Sequence, residues 1–355
     1  MREIRVILFG LGRVGRALVE EARRAPFSLK FVGVFDSTGG TVAPNGLSDR
    51  ELQELVDAKG AGKSIASLPG GLPYEEVVAE LPGLFASGPG VLLDLSSAGD
   101  ALVPLIRAAL DAGWGVVLAN KLPLVGPLGL FREFTSTGRL RYEATVGAGT
   151  PVIALLEYLL GSGDEVKSIQ GMVSGTLGHL LAACEEGMPL SQAVREAWER
   201  GYTEPHPAQD LLGLDIARKA LILARTLGLP LELHEIKADP LCPADLAELP
   251  PQEFLAALAR DDGELARRIA GAKRRGRTLR YLLRVGEDGC WVGLREVEMA
   301  SLLARARGNI TVLEISTERF GSTPLVVYGP GSGPRETACG VLADIGQLRA
   351  RLGQR

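Results

Sequence analysis

Long apolar runs are missing from this 355-residue chain: nowhere do about 18 consecutive apolar residues occur, so no bilayer-spanning helix and no membrane partner are expected. The apolar stretch nearest the start, Ile4 to Phe9, is interrupted by Arg5 and stopped by Gly10, too soon for a secretory signal. Cysteine is scarce. Its four positions, 184, 242, 290 and 339, are far apart and form no CxxC pair, which excludes a zinc cluster or disulfide framework and fits free thiols in a reducing cytoplasm. Charge of one sign is also scarce: the formal net charge is −4 without a long acidic or basic run, so nothing points to nucleic acid or an anionic surface. Lysine supplies only eight of the 39 basic residues, so a lysine inside a pocket motif draws notice, because it releases a proton where arginine does not.

The length suggests two domains of about 100–200 residues each. Ile4 to Phe9 reads as a strand buried on both faces, followed by a glycine loop, a helical pattern through Val14, Leu18 and Ala22, and a second strand from Leu29 to Phe35 ending at Asp36. Further alternation, with strands at 91–95 and 116–118 around a helix at 102–112, predicts a Rossmann-type doubly wound parallel sheet over residues 1–150. From residue 151 the pattern shifts to longer helices, expected at 151–160, 177–186, 190–200 and 211–227. Strands at 278–285 and 290–297 flank Gly-Glu-Asp-Gly as a hairpin, and strands at 310–316 and 325–328 follow, so the second domain is expected to be α+β with an antiparallel sheet.

Gly10-Leu-Gly12-Arg13-Val14-Gly15 is a GxGxxG between a buried strand and a helix, and Asp36 follows Gly15 by 21 residues at the end of the next strand. That context makes it a dinucleotide site. Gly10 allows the tight turn, Gly12 lets the backbone approach the pyrophosphate, and Gly15 lets helix pack on strand, while the helix N-terminus offers unpaired N–H groups to the phosphates. Asp36 suits the ribose hydroxyls and repels a 2′-phosphate, which favours NAD over NADP; Arg13, Lys59 or Lys63 reaching a phosphate would reverse that. Ser96 and Ser97, after the strand at 91–95, sit where the nicotinamide ribose is expected, or cap a helix.

Five segments, in order, resemble homoserine dehydrogenase: the glycine loop, Leu118-Ala-Asn120-Lys121-Leu-Pro123, Tyr142-Glu143-Ala-Thr-Val146-Gly-Ala148-Gly-Thr150-Pro151, Gly171-Met-Val-Ser-Gly-Thr176, and Gly201-Tyr-Thr-Glu204-Pro205 continuing to Gly213-Leu-Asp215-Ile-Ala-Arg-Lys219. A sixth, Tyr328-Gly-Pro-Gly-Ser-Gly333, is similar to the family's terminal glycine loop. The resemblance implies interconversion of L-homoserine and L-aspartate 4-semialdehyde with NAD or NADP, a step toward threonine and methionine, by a cytoplasmic homodimer in the short stand-alone form without a regulatory domain. It assigns Lys219 to acid/base work and Asp215 to substrate binding and to orienting that lysine, which four-residue helical spacing places on one face. Lys121, beside Asn120, is implied at the nicotinamide and substrate end; the proton is open between the two lysines, with Lys219 favoured. Glu204 with Asp210 is implied to bind the substrate ammonium. Glu143 and the carbonyls of Val146, Ala148 and Thr150 resemble a loop for a monovalent cation such as sodium. Gly333 is implied to return to the cofactor, which divides the chain into 1–150 for the dinucleotide, 151–317 for substrate and dimerisation, and 318–355 rejoining the first domain. The chain departs from the family at His206-Pro207, where Asp-Pro is common, and at Gln209, which puts local substrate affinity in question.

Two rivals stand beside this reading. One is a related dehydrogenase acting on another amino acid or aldehyde, favoured by His206 and Gln209. A phosphorylating aldehyde dehydrogenase needs an activated thiolate, and only Cys184 has a histidine, His179, close in sequence. The other is a non-catalytic cofactor-binding regulator, against which Lys121, Glu204, Asp215 and Lys219 argue.

Overall fold

The computed structural model describes residues 3–260, 262–350 and 352; the outermost residues of the expected first and last segments lie outside the described residues. It divides into two compact units, Met1–Gly149 with Gly333–Arg355, and Thr150–Ser332.

The first unit is built on β1 (Ile4–Phe9), β2 (Leu29–Asp36), β3 (Gly39–Val42), β4 (Gly90–Asp94), β5 (Gly115–Leu118) and β6 (Leu140–Arg141), in the order β3-β2-β1-β4-β5-β6. Every neighbouring pair is parallel except β2 and β3. β4 and β5 are buried along their whole length, which is why they read as unbroken apolar runs. The chain leaves β1 to one side for β2 and returns on the other as β4. The loops after β1 and β4 therefore part company there and open a crevice at the carboxyl ends of the strands. Val6, Leu8, Val34, Val91 and Leu93 pack against Leu18 and Val19 of the helix Arg13–Ala22, and against Val341, Ile345 and Leu348 of the helix Pro334–Arg349.

The second unit holds β7 (Val166–Met172), β8 (Lys237–Ala238), β9 (Arg277–Gly286), β10 (Gly289–Glu298), β11 (Ile310–Thr317) and β12 (Leu325–Pro330), in the order β12-β11-β7-β9-β10-β8. All pairs but β8 with β10 are antiparallel. The expected hairpin is present, with Gly286 paired to Gly289 across Glu287 and Asp288. Two expectations need correction. The chain does not rejoin the first unit at 318: β12 pairs with β11 along Ile310 to Ile315, which keeps it in the second unit as far as Ser332. The helix expected at 211–227 is two helices, Ala208–Leu211 and Leu214–Thr226, separated by Gly213 at φ +71°. A Cβ on Gly213 would lie 2.2 Å from the Tyr281 hydroxyl, so this close crossing demands glycine as much as the left-handed backbone does.

Candidate active site

The three motif glycines serve different ends. Gly10, at φ +98°, turns tightly enough that a Cβ would sit 2.6 Å from the Leu95 carbonyl carbon, and a Cβ on Gly15 would lie 2.1 Å from the Gly10 carbonyl oxygen. Both are therefore required by the fold alone. Gly12 is not: a Cβ there has no neighbour within 4 Å among the described residues. It caps the helix Arg13–Ala22 without a side-chain bond, and that helix has no acidic residue in its first turn. Open space before uncapped N–H groups fits a pyrophosphate. Arg13 is exposed and Val14 half-buried in the same turn.

Asp36 ends β2 at the same sheet edge. Its Oδ1 accepts from the Thr38 N–H at 2.7 Å and the Thr38 hydroxyl at 2.6 Å, and its Oδ2 meets Lys59 Nζ at 2.5 Å. Burial pushes the carboxyl up, but the Lys59 and Thr38 bonds outweigh it and leave the pKa below the ordinary value. Lys59 is thus drawn to the same corner as Asp36, whose charge opposes its own.

A hub that sequence reasoning missed lies at the ends of β4 and β5. Asp94 is 1% exposed, and burial raises its pKa against the bonds it accepts. Those bonds come from the Ser96 N–H at 3.0 Å, the Ser96 hydroxyl at 2.6 Å and Asn120 Nδ2 at 2.9 Å. Asn120 gives its second N–H to the Ala98 carbonyl at 2.6 Å and accepts from the Leu122 N–H at 3.0 Å. Both donors of its amide end in protein, so its side chain braces the loops. The only advance signal was an acid closing a buried strand. Ser96 turns back on Asp94 and caps no helix; the short helical turn Asp100–Leu102 begins from Gly99. Ser97 is exposed beside it, and Lys121 follows Asn120, half-buried, as the residue before Leu122–Val125.

In the second unit the helix Leu214–Thr226 presents Asp215 and Lys219 one turn apart, with Lys219 Nζ 2.9 Å from Asp215 Oδ2. The same nitrogen donates to the Val173 carbonyl at 2.7 Å, just past the end of β7. The Lys219 side chain is 12% exposed, while that of Asp215 is 49% exposed. Asp210, on the preceding short helix, accepts the Glu204 N–H at 2.9 Å through Oδ2. Burial pushes the Asp210 carboxyl up to about 6, with the Glu204 and Asp215 charges adding to the rise and bonds from the Glu204 N–H and the Thr176 hydroxyl opposing it. The single Thr176 hydroxyl proton is shared between Asp210 and the Tyr202 carbonyl, 3.1 Å from its oxygen, and Trp198 Nε1 donates to the Pro205 carbonyl at 3.1 Å, so the acidic loop is pinned on two sides. Glu204 itself is exposed. Lys219 therefore pairs with Asp215, while Asp210 holds the Glu204 backbone and feels the charges of both Glu204 and Asp215.

His206 is half-buried with its ring tilted against Phe254, while Gln209 is exposed. Cys184 is buried and its thiol is pushed up to about 12, first by burial and then by Asp262, which removes it as a thiolate nucleophile. His179 meets the ring of Tyr202 instead.

In the expected cation loop, Glu143 is buried at 4% exposure and its N–H donates to Asp344 at 2.8 Å, while Ala148 takes φ +55°. A Cβ on Gly340 would lie 2.4 Å from the Ala148 carbonyl oxygen. Thr150 Oγ1 donates to the Pro330 carbonyl at 2.8 Å. Among the described residues no three His, Cys, Asp or Glu side chains group to hold a metal ion. Gly333, at φ +130°, precedes the helix Pro334–Arg349. Among the described residues no helix is long and apolar enough to cross a membrane.

A phosphate-ready helix end on a doubly wound sheet in one unit, and an amine among carboxylates in the other, are the two halves an NAD(P)-dependent oxidoreductase of an amino-acid substrate requires. The family description "Homoserine dehydrogenase" matches residues 151–345. A homoserine dehydrogenase from Emericella nidulans is 33% identical over 97% of this chain and 98% of its own length. A bifunctional aspartokinase/homoserine dehydrogenase from Haemophilus influenzae is 31% identical over 96% of this chain, which spans 42% of that longer protein. A solved hyperthermophilic archaeal homoserine dehydrogenase in complex with NADPH superposes with a TM-score of 0.75 at 26% identity, covering 99% of this chain and 98% of that one. The chain belongs to the homoserine dehydrogenase family, NAD(P)-dependent oxidoreductases that interconvert L-homoserine and L-aspartate 4-semialdehyde.

Proposed function

We propose that Lys219 moves the proton in this reaction and that Glu204, Asp210 and Asp215 hold the substrate ammonium. The observation that carries this reading is the Lys219 amine, held at 2.9 Å by Asp215 and at 2.7 Å by the Val173 carbonyl. An ammonium has three donors, and these contacts use two, which leaves one for a substrate oxygen. The bound nicotinamide supplies or accepts the hydride. In the reducing direction the Lys219 ammonium gives its third proton to the developing alkoxide; in the oxidising direction the neutral amine, its two N–H groups still on Asp215 and Val173, takes the hydroxyl proton on its lone pair. Lys121 is assigned to polarising the reacting oxygen. The first unit is then the dinucleotide-binding domain, using Gly10, Gly12, Arg13, Val14, Gly15, Asp36, Ser96, Ser97 and Gly333, and the second the substrate domain. Asn120 serves it by bracing.

NAD is proposed as the preferred cofactor. Asp36 keeps its charge and faces Lys59, whose own charge it offsets, so a 2′-phosphate meets a carboxylate first. Comparing kcat/KM with NAD and NADP tests this, and higher NADP efficiency overturns it. Glu143 with the Val146, Ala148 and Thr150 carbonyls is proposed to take a monovalent cation such as sodium; the buried carboxylate and the left-handed Ala148 support it. A homodimer is proposed from the edge strand β12, where Val326 and Tyr328 are exposed on one face. The free thiols fit the cytoplasm. Steady-state kinetics of Lys219→Ala test the central assignment: kcat falls ~10²–10⁴-fold with cofactor KM little changed. An unchanged kcat removes Lys219 from the chemistry.

A further inference from the structure

We propose that His206 is a positioning residue for the ammonium-binding carboxylates, its bare ring nitrogen fixing the first N–H of the short helix that carries Asp210. The proposal rests on the reading of Glu204 and Asp210 given above. The ring is held at three points. Nε2 lies 2.7 Å from the Leu249 carbonyl oxygen, Nδ1 lies 3.3 Å from the Ala208 nitrogen, and the ring centroid is 5.5 Å from that of Phe254. A carbonyl only accepts and a backbone N–H only donates, so the proton belongs on Nε2 and Nδ1 is the acceptor. These contacts assign one tautomer, with Nε2 as donor and Nδ1 as acceptor.

Ala208 opens the helix Ala208–Leu211, which has no side-chain cap from its preceding residue, Pro207. His206 Nδ1 takes up that orphan donor. Two residues further on, Asp210 accepts the Glu204 N–H, so a continuous run of bonds links Leu249, His206, the short helix, Asp210 and Glu204. An aspartate at 206 would also accept from Ala208, but it has no donor for Leu249 and adds a carboxylate to a loop that already carries two. Histidine supplies the acceptor and the anchor without that charge. With Asp210 already pushed up to about 6 by burial and its acidic neighbours, a further negative charge would push it higher and leave it ionised less of the time.

The test measures KM for homoserine, KM for cofactor, kcat and melting temperature in His206→Ala, His206→Asn and His206→Gln, with Glu204→Gln alongside. Asn places an acceptor where Nδ1 lies; Gln places a donor where Nε2 lies. His206→Ala raises the homoserine KM about tenfold and leaves kcat and cofactor KM within about twofold, the effect of one lost directing bond. Asn restores most of the homoserine KM, and Gln does not. Rescue by Gln and not by Asn, or a parallel fall in melting temperature, kcat and both affinities, overturns the proposal. If Glu204→Gln raises the homoserine KM while every His206 variant leaves it unchanged, positioning fails and the carboxylate reading stands. If Glu204→Gln leaves it unchanged, the carboxylate reading itself fails.

Discussion

Replacing Asn120 by Asp keeps the side-chain volume and the acceptor for the Leu122 N–H, yet turns both donors of the amide into acceptors. A carboxylate oxygen would then face Asp94 Oδ2 at the present 2.9 Å and the Ala98 carbonyl at 2.6 Å, in surroundings where Asp94 is 1% and Asn120 6% exposed. Two buried carboxylates at that distance cannot both ionise, so they capture one shared proton. Removing that proton leaves an uncompensated buried charge, which costs about 3–5 kcal/mol. The sign follows from linkage: above the ordinary carboxylate range the folded pair binds more protons than the unfolded chain, so stability falls as pH rises. A loss of 3 kcal/mol corresponds to a melting-point drop of about 6–12 °C for a unit of this size. The gap between wild type and Asn120→Asp should therefore be small at pH 5 and widen toward pH 8, read by calorimetry at each pH. Lys121 is the next residue, so kcat/KM should fall over the same range. Equal melting points at both pH values would refute the bracing role of Asn120.

Other expectations follow from the same geometry. Gly12→Ala should leave the melting temperature close to wild type but raise the cofactor KM at least about tenfold, because only a ligand competes for that space. Gly10→Ala, whose Cβ would meet the Leu95 backbone at 2.6 Å, should lower stability by about 2 kcal/mol or more in calorimetry. The homoserine kcat/KM should rise as pH increases through about 6, where Asp210 gains the charge that attracts ammonium, and Asp210→Asn should flatten that limb of the profile.

Much of this is legible in the sequence. The run from Ile4 through the glycine loop to Asp36 announces itself because a parallel strand buried on both faces must be continuously apolar and a phosphate turn must be glycine. The hairpin of β9 and β10 is equally plain, since Gly-Glu-Asp-Gly interrupts two β-rich runs. β7 was not, because Val-Lys-Ser-Ile-Gln-Gly-Met mixes polar and apolar residues on a strand buried mainly toward its far end. Gly213 was legible as a motif residue but not as a helix break, because the demand comes from Tyr281, far along the chain. Asp94 and Asn120 show the same limit: their partners lie 26 residues apart, and no local pattern reveals that the amide is spent within the protein. The amine of Lys219 among its carboxylates was half visible, since helical spacing gave Asp215, while Val173 came only from the fold.

The most direct measurement of the central claim is a single-turnover experiment with Lys219→Ala, mixing saturating reduced cofactor with aspartate 4-semialdehyde and following the near-ultraviolet absorbance. A hydride step slowed ~10²–10⁴-fold, with the cofactor Kd from fluorescence titration unaltered, is the predicted result. A burst at the wild-type rate would contradict it.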